Sequence, residues 1–192
     1  MRVLVLYAHP VETSFCAALH ARVVDTLRAA GHQVDDCDLY TEGFDPVLSR
    51  EERLGYHEVP DNRAPVAAHV DRLMSAEALV LVHPVWNFGL PAILKGYLDR
   101  VFLPGVSFRM ENGVVAPNLT HIKRITAITT YGGTRFRAWV LGDPPRKIVN
   151  RLLRATAPRA KVKYHALYDM NRNDAARLQN FLESVGREME RF

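Results

Sequence analysis

Short unbroken apolar runs alternate along this chain with longer segments of helical periodicity. Residues 2–8 (RVLVLYA) form the first run, continuous enough for a strand buried on both faces. Thr13 and Ser14, both good N-cap residues, precede a helical segment over 14–30 in which Phe15, Leu19, Val23 and Leu27 share one side. Gly31 stands where a helix-terminating glycine is expected. Residues 33–39 read as a weaker second strand, Phe44-Asp45-Pro46 as a loop, Ser49 as the start of a short helix and Pro60-Asp61-Asn62 as a turn. A helix follows over 64–75, then a buried strand over 78–83 (ALVLVH) and a helix from Pro91 to Phe102. The apolar set of that helix (Ile93, Leu94, Tyr97, Leu98, Val101, Phe102) is too broad for one stripe and suggests a second packing partner such as another subunit. Strands over 122–130 and 161–167 flank a helix over 144–155, and a last helix covers 173–191.

Five strands alternating with helices predict an α/β fold: a doubly wound five-stranded parallel sheet with helices on both faces. Right-handed crossovers favour the strand order 2-1-3-4-5 within a single domain spanning 1–192. Ligands of open α/β sheets bind beyond the C-terminal strand ends, at the switch point between the first and third strands. That rule selects three loops: His9–Cys16, Pro84–Gly89 and Thr129–Thr134.

The first loop, HPVETSFC, has neither a Walker pattern nor G-x-G-x-x-G, but it sets hydroxyls, a histidine and free N–H groups at a helix N-terminus. A phosphate fits there, and so does the plainer role of capping a helix. The second loop, PVWNFGLP, clusters Trp86 and Phe88 with Gly and Pro, which suits a wall for a flat apolar ring or a simple hydrophobic plug. The third, TTYGGT, has paired glycines that let backbone approach a ligand closely. Their convergence on one sheet edge favours a binding site over three unrelated local roles.

Apolar residues make up 48% and charged residues 24% of the 192, an ordinary globular balance that excludes a disordered chain. No apolar run approaches a membrane span, and Met1-Arg2 leads straight into the first strand with no signal-peptide segment. Cys16 and Cys37 are too few for a disulfide framework, so a reducing cytoplasm is expected. The eight histidines are scattered without metal-ligand spacing, and no metal site is assigned. The net charge of +4 includes a basic run over 146–163, read as a solvated helix face, or alternatively as a patch for an acidic partner or a nucleotide 2′-phosphate. No motif supports nucleic-acid binding.

These segments resemble the flavodoxin-like NAD(P)H:quinone oxidoreductases, a family including the DT-diaphorase type and small bacterial relatives. AHPVETSF, LYTEGFDPVLSRE, PVWNFGLPAILKGYLDRVF, ITTYGG and the stretch from Asp174 to Leu178 carry the likeness over most of the chain. The resemblance implies a flavin, FAD or alternatively FMN, with NAD(P)H as electron donor and a quinone-like acceptor. It assigns His9, Thr13, Ser14, Phe15 and Cys16 to the phosphate or pyrophosphate, and Pro84, Val85, Trp86, Asn87 and Phe88 to the isoalloxazine. Thr129, Thr130, Tyr131, Gly132 and Gly133 would reach the pyrimidine end, with Arg177 near an adenine if the flavin is FAD. A homodimer is implied as well. Val85 and Asn87 depart from the Gln-Trp-Phe of the nearest quinone reductases, and Tyr131 is inserted before the glycines. The family's Tyr and His that buffer charge on the reduced flavin have no evident counterpart, so no catalytic residue is assigned; Arg135 and Arg137 are electrostatic candidates. A flavin-binding redox sensor acting through a partner protein is the alternative from another functional class.

Overall fold

The computed structural model describes residues 1–192. Its main sheet runs β2-β1-β3-β6-β7, all parallel, from β1 (Arg2–Tyr7), β2 (Gln33–Asp38), β3 (Ala78–Val85), β6 (Arg124–Tyr131) and β7 (Lys161–Leu167). Counted among the parallel strands alone, this is the expected order 2-1-3-4-5. The strand period of two divides the core into two layers. Leu4 and Leu6 of β1 face one, Val3, Val5 and Tyr7 the other. Helices α3 (Ala67–Ser75) and α4 (Ala92–Val101) cover the first layer, and α1 (Phe15–Ala29) with α8 (Ala175–Glu190) covers the second. No helix is long and apolar enough to cross a membrane.

Several boundaries differ from the sequence expectation, each for a physical reason. The predicted helix over 64–75 opens as a 3₁₀ segment, Asp61–Val66, with Pro65 inside it, and becomes α-helical only at Ala67. The segment expected as one helix over 144–155 runs from Pro144 to Thr156 as α6 (Pro144–Lys147), a π-helical stretch (Ile148–Leu153) and α7 (Arg154–Thr156). β3 continues past His83 through Pro84 and Val85. A proline is tolerated there because Val82 is the last β3 carbonyl bonded to the β1 side, and β1 has ended at Tyr7. Four elements were not anticipated: the hairpin strands β4 (Phe108–Glu111) and β5 (Val114–Pro117), the helix α5 (Arg135–Val140) and a 3₁₀ turn at Met170–Arg172. α2 (Arg50–Leu54) starts at Ser49 as expected.

Most of the α4 apolar face is buried within the chain. Ile93, Leu94, Tyr97, Leu98 and Val101 are all buried, packed with Phe44, Leu103, Val106 and Leu119. Gly96 lets the loop before α2 lie directly on this helix: a Cβ there would overlap the Pro46 carbonyl oxygen, Cα and Cβ. Gly96→Ala is therefore expected to cost about 3 kcal/mol, the upper range for overpacking by one methyl. Urea unfolding measures it; a midpoint within error of wild type would show that the loop yields freely.

Candidate functional site

The three loops come together at the C-terminal edge of β1, β3 and β6, which are neighbours in the sheet. Ser14 caps α1, its side chain accepting the Ala17 N–H at 3.1 Å. The N–H groups of Thr13, Phe15 and Cys16 have no partner within the chain, an arrangement of unbonded donors at a helix N-terminus that anions can bind. Cys16 turns its thiol into the core, where burial pushes the pKa up to about 12; only its backbone faces the loop. His9 Nδ1 accepts the Val11 N–H at 3.0 Å, which leaves the ring proton on Nε2, and burial lowers the pKa of the ring. Beside Cys16, the Tyr7 hydroxyl is buried within reach of the Ser14 side chain but makes no well-formed hydrogen bond. A buried polar atom without a well-formed bond next to unbonded N–H groups fits a phosphorylated ligand.

The second loop is a tight reversal. Trp86 and Gly89 exchange both backbone hydrogen bonds, and Asn87 (φ 50°) and Phe88 (φ 56°) between them are left-handed. Asn tolerates that region, whereas for Phe it costs roughly 1–2 kcal/mol. The strained turn leaves the Asn87 and Phe88 N–H groups free of partners inside the chain. It also presents Trp86, 42% exposed, toward the first loop, its ring 5.6 Å from that of His9. Phe88 meets the third loop, where a Cβ on Gly133 would stand 3.1 Å from its ring. Each loop thus touches the next.

Not every expected residue is a loop residue. Pro84 and Val85 lie in β3, while Thr129, Thr130 and Tyr131 are the last three residues of β6, all buried. Only Gly132, Gly133 and Thr134 form the connection to α5, and the N–H groups of the two glycines are unbonded. Tyr131 instead anchors a polar network that no local motif announced. Its hydroxyl lies 2.6 Å from both Asp143 Oδ1 and Tyr164 Oη, and its ring is 4.5 Å from Tyr168. Arg146 donates to Asp143 at 2.9 Å and to Tyr168 Oη at 2.7 Å. Burial and the neighbouring Tyr164 and Asp143 drive the Tyr131 pKa far above the ordinary tyrosine value, so it remains a neutral donor. These partners come from the start of α6, the middle of β7 and the residue just past its end, and the β6–β7 pairing brings the tyrosines together. Arg135 and Arg137, the electrostatic candidates, are both exposed on α5. Arg177 lies in the first turn of α8, its N–H bonded to Asp174.

His83 is wholly buried just below the second loop. Nδ1 is 2.9 Å from the Pro84 carbonyl, to which it donates, and Nε2 has no partner. Burial holds its pKa down to about 4. The unfolded chain takes up a proton near the ordinary histidine value, so the fold loses stability as pH drops from about 6.5 toward 4, by roughly 2 kcal/mol at pH 5. Urea titrations at pH 7.5 and pH 5 should show that loss in wild type and a smaller one in His83→Gln. Equal losses would remove His83 from the account.

Outside the loops, Cys37, Glu42 and His69 do converge within 4.8 Å, although their sequence spacing gave no metal signal. The Arg72 guanidinium bonds both Glu42 oxygens at 2.9 and 2.7 Å and already supplies the positive charge there.

Residues 1–149 match the family model described as a flavodoxin-like fold. This chain belongs to the flavodoxin-like family that contains the NAD(P)H:quinone oxidoreductases. Over 116 residues it is 37% identical to a Haemophilus influenzae protein named "Uncharacterized NAD(P)H oxidoreductase", covering 59% of this chain and 56% of that one. The chain spans about half the length of the curated relatives it first matches. The solved NAD(P)H:quinone oxidoreductase from Methanothermobacter marburgensis is 25% identical with a TM-score of 0.85, covering 99% of this chain and 98% of that one. The fold is shared with an FMN-dependent NADH-azoreductase of Bacillus anthracis solved with FMN, 16% identical at a TM-score of 0.78, covering 99% and 98% of the two chains.

Proposed function

We propose that this chain binds a flavin across the three loops and passes two electrons, taken as a hydride from NAD(P)H, to a quinone-type acceptor. The observation that carries this reading is the continuous contact from His9 to Trp86 and from Phe88 to Gly133 along one sheet edge. A bound flavin would supply the chemistry, as hydride acceptor and then two-electron donor. The chain's residues supply binding and orientation. The N–H groups of Thr13, Phe15 and Cys16 hold the phosphate at the α1 N-terminus. Trp86 and Phe88 wall the ring and exclude water, the Asn87 and Phe88 N–H groups meet its polar edge, and the Gly132-Gly133 backbone meets its pyrimidine end. NAD(P)H and the acceptor use the same open face in turn, a ping-pong scheme that needs no protein nucleophile. In balance, NAD(P)H, a proton and a quinone give NAD(P)⁺ and a hydroquinone.

The cradle accounts for the parts that FAD and FMN share. The FMN complex of the Bacillus anthracis neighbour supports FMN, and the resemblance around Arg177 supports FAD; the mass of the cofactor released by heat decides. A homodimer belongs to the same reading, supported by the exposed apolar side chains Met110, Val114 and Val115 on the β4–β5 hairpin. A cytoplasmic location is supported by two free buried cysteines. The test is anaerobic: NADPH should bleach the protein-bound flavin and a quinone should restore it within the same cuvette. A flavin that stays oxidised under both NADPH and NADH would overturn the reductase reading and favour a redox sensor.

A further inference from the structure

Beyond the third loop the chain reverses sharply between α5 and α6, at Gly142 (φ 82°) and Asp143 (φ 45°), both left-handed. Asp143 is held in that conformation by Tyr131 and Arg146. The reversal opens a cavity of about 460 Å³ whose wall includes Arg135, Trp139, Asp143, Lys147, Arg151 and Tyr168. The one ion pair in that wall joins Arg146 to Asp143. Arg135, Lys147 and Arg151 are left without a carboxylate, so the cavity holds three uncompensated positive charges. The Lys147 ammonium lies 3.1 Å from where a Cβ of Gly142 would stand, so the glycine leaves it room over the reversal.

The basic run seen in the sequence is thus not one solvated face. Arg146, Lys147 and Arg151 turn into this cavity, Lys163 pairs with Glu188, and Arg159 and Lys161 lie with His121 and Arg124 elsewhere. An exposed indole, Trp139, borders the charges, and the Phe136 ring is 6.1 Å from it. Uncompensated cations beside exposed aromatic faces suit a phosphate carried on a flat heterocycle. The cavity also adjoins the proposed flavin cradle. The Tyr168 ring in its wall lies 4.5 Å from that of Tyr131, tilted by 34°, and the Asp169 N–H donates to the Gly133 carbonyl at 2.9 Å.

We propose that this cavity receives the 2′-phosphoadenosine end of NADPH and makes the chain selective for NADPH over NADH. The inference rests on the reductase reading, which says what the neighbouring cradle does. The phosphate falls among Arg135, Lys147 and Arg151, and the adenine lies against Trp139. A coenzyme without the 2′-phosphate leaves those charges in water and gains nothing from them.

Isothermal titration of the purified protein with adenosine 2′,5′-bisphosphate and with 5′-AMP reads the cavity without any redox step. The bisphosphate should bind at least about tenfold more tightly, as one or two charge-assisted hydrogen bonds would give, and the advantage should shrink as salt is raised. The double variant Lys147→Ala/Arg151→Ala should lose that advantage. Both side chains are exposed, so the thermal midpoint serves as the control for folding. In steady-state assays the same variant should lose about tenfold in kcat/KM for NADPH and less than twofold for NADH. Equal binding of the two nucleotides, or equal loss toward the two coenzymes, would overturn the proposal. A protein that selects the bisphosphate yet is reduced by neither coenzyme would sink the reductase reading and leave the phosphate site standing; one reduced equally well by both would do the reverse.

Discussion

Trp86→Ala is expected to weaken flavin binding about thirtyfold while leaving the fold intact. Trp86 is 42% exposed, on a turn that the core does not need. For a side chain of its size the free surface is roughly 100 Å², most of which a bound ring would cover. At about 25 cal/mol per Å² that burial is worth about 2 kcal/mol, or a factor near thirty in affinity. The turn itself should persist, because Trp86 and Gly89 close it through backbone bonds that any residue can make. Fluorescence titration of flavin into the apoprotein measures the effect, and Trp86→Phe should restore part of it. An unchanged dissociation constant would mean that the indole does not face the ring.

The largest loss of stability is expected from Glu52→Ala, at about 3–5 kcal/mol, the range for removing one partner of a buried ion pair. Glu52 Oε1 accepts a hydrogen bond from Arg100 Nε at 2.8 Å and lies 2.6 Å from Nη2 in the ion pair, with the two side chains 11% and 10% exposed. Its other oxygen accepts the Ser49 N–H at 2.9 Å, and the Ser49 hydroxyl accepts the Glu52 N–H at 3.1 Å, closing a capping box. Burial alone would raise the Glu52 carboxyl, but the Ser49 N–H and the Arg100 guanidinium outweigh it and hold the pKa below the ordinary value. Arg100 also donates to the Asp45 carbonyl and lies 5.5 Å over the Phe44 ring, so the pair fastens the segment before α2 onto α4. Alanine at position 52 would strand the guanidinium in that setting. Glu52→Gln should cost less, since it keeps the shape and an acceptor. Chemical unfolding of both variants checks the order; equal midpoints for Glu52→Ala and wild type would show that water replaces the carboxylate at no cost.

Much of this fold is legible in the chain because its signals are local. The runs RVLVLYA and ALVLVH are buried strands by their lack of alternation, Ser14 and Gly31 bracket α1, and Ser49 with Glu52 starts α2. The hairpin of β4 and β5 also had a local signal, Asn112-Gly113, with both residues left-handed as such a turn requires. What local pattern does not carry is pairing at a distance. Arg100 finds Glu52 across 48 residues, and Tyr131 finds Tyr164 across 33. The three loops were legible because the switch-point rule turns strand order into location. Their limits were not, since Pro84 reads as a strand breaker and only the end of β1 beside it removes the penalty. The cavity between α5 and α6 was visible only as charge, and the backbone reversal at Asp143 decides which of those cations meet.

The central claim, a flavin held across three loops, is tested most directly by the absorbance spectrum of the purified protein after loading with FAD or FMN and removal of free cofactor. The account predicts a bound flavin spectrum at close to one flavin per chain, and its loss in proportion to weakened binding in Trp86→Ala. A protein that remains colourless after both loadings, with its fold intact, would contradict it.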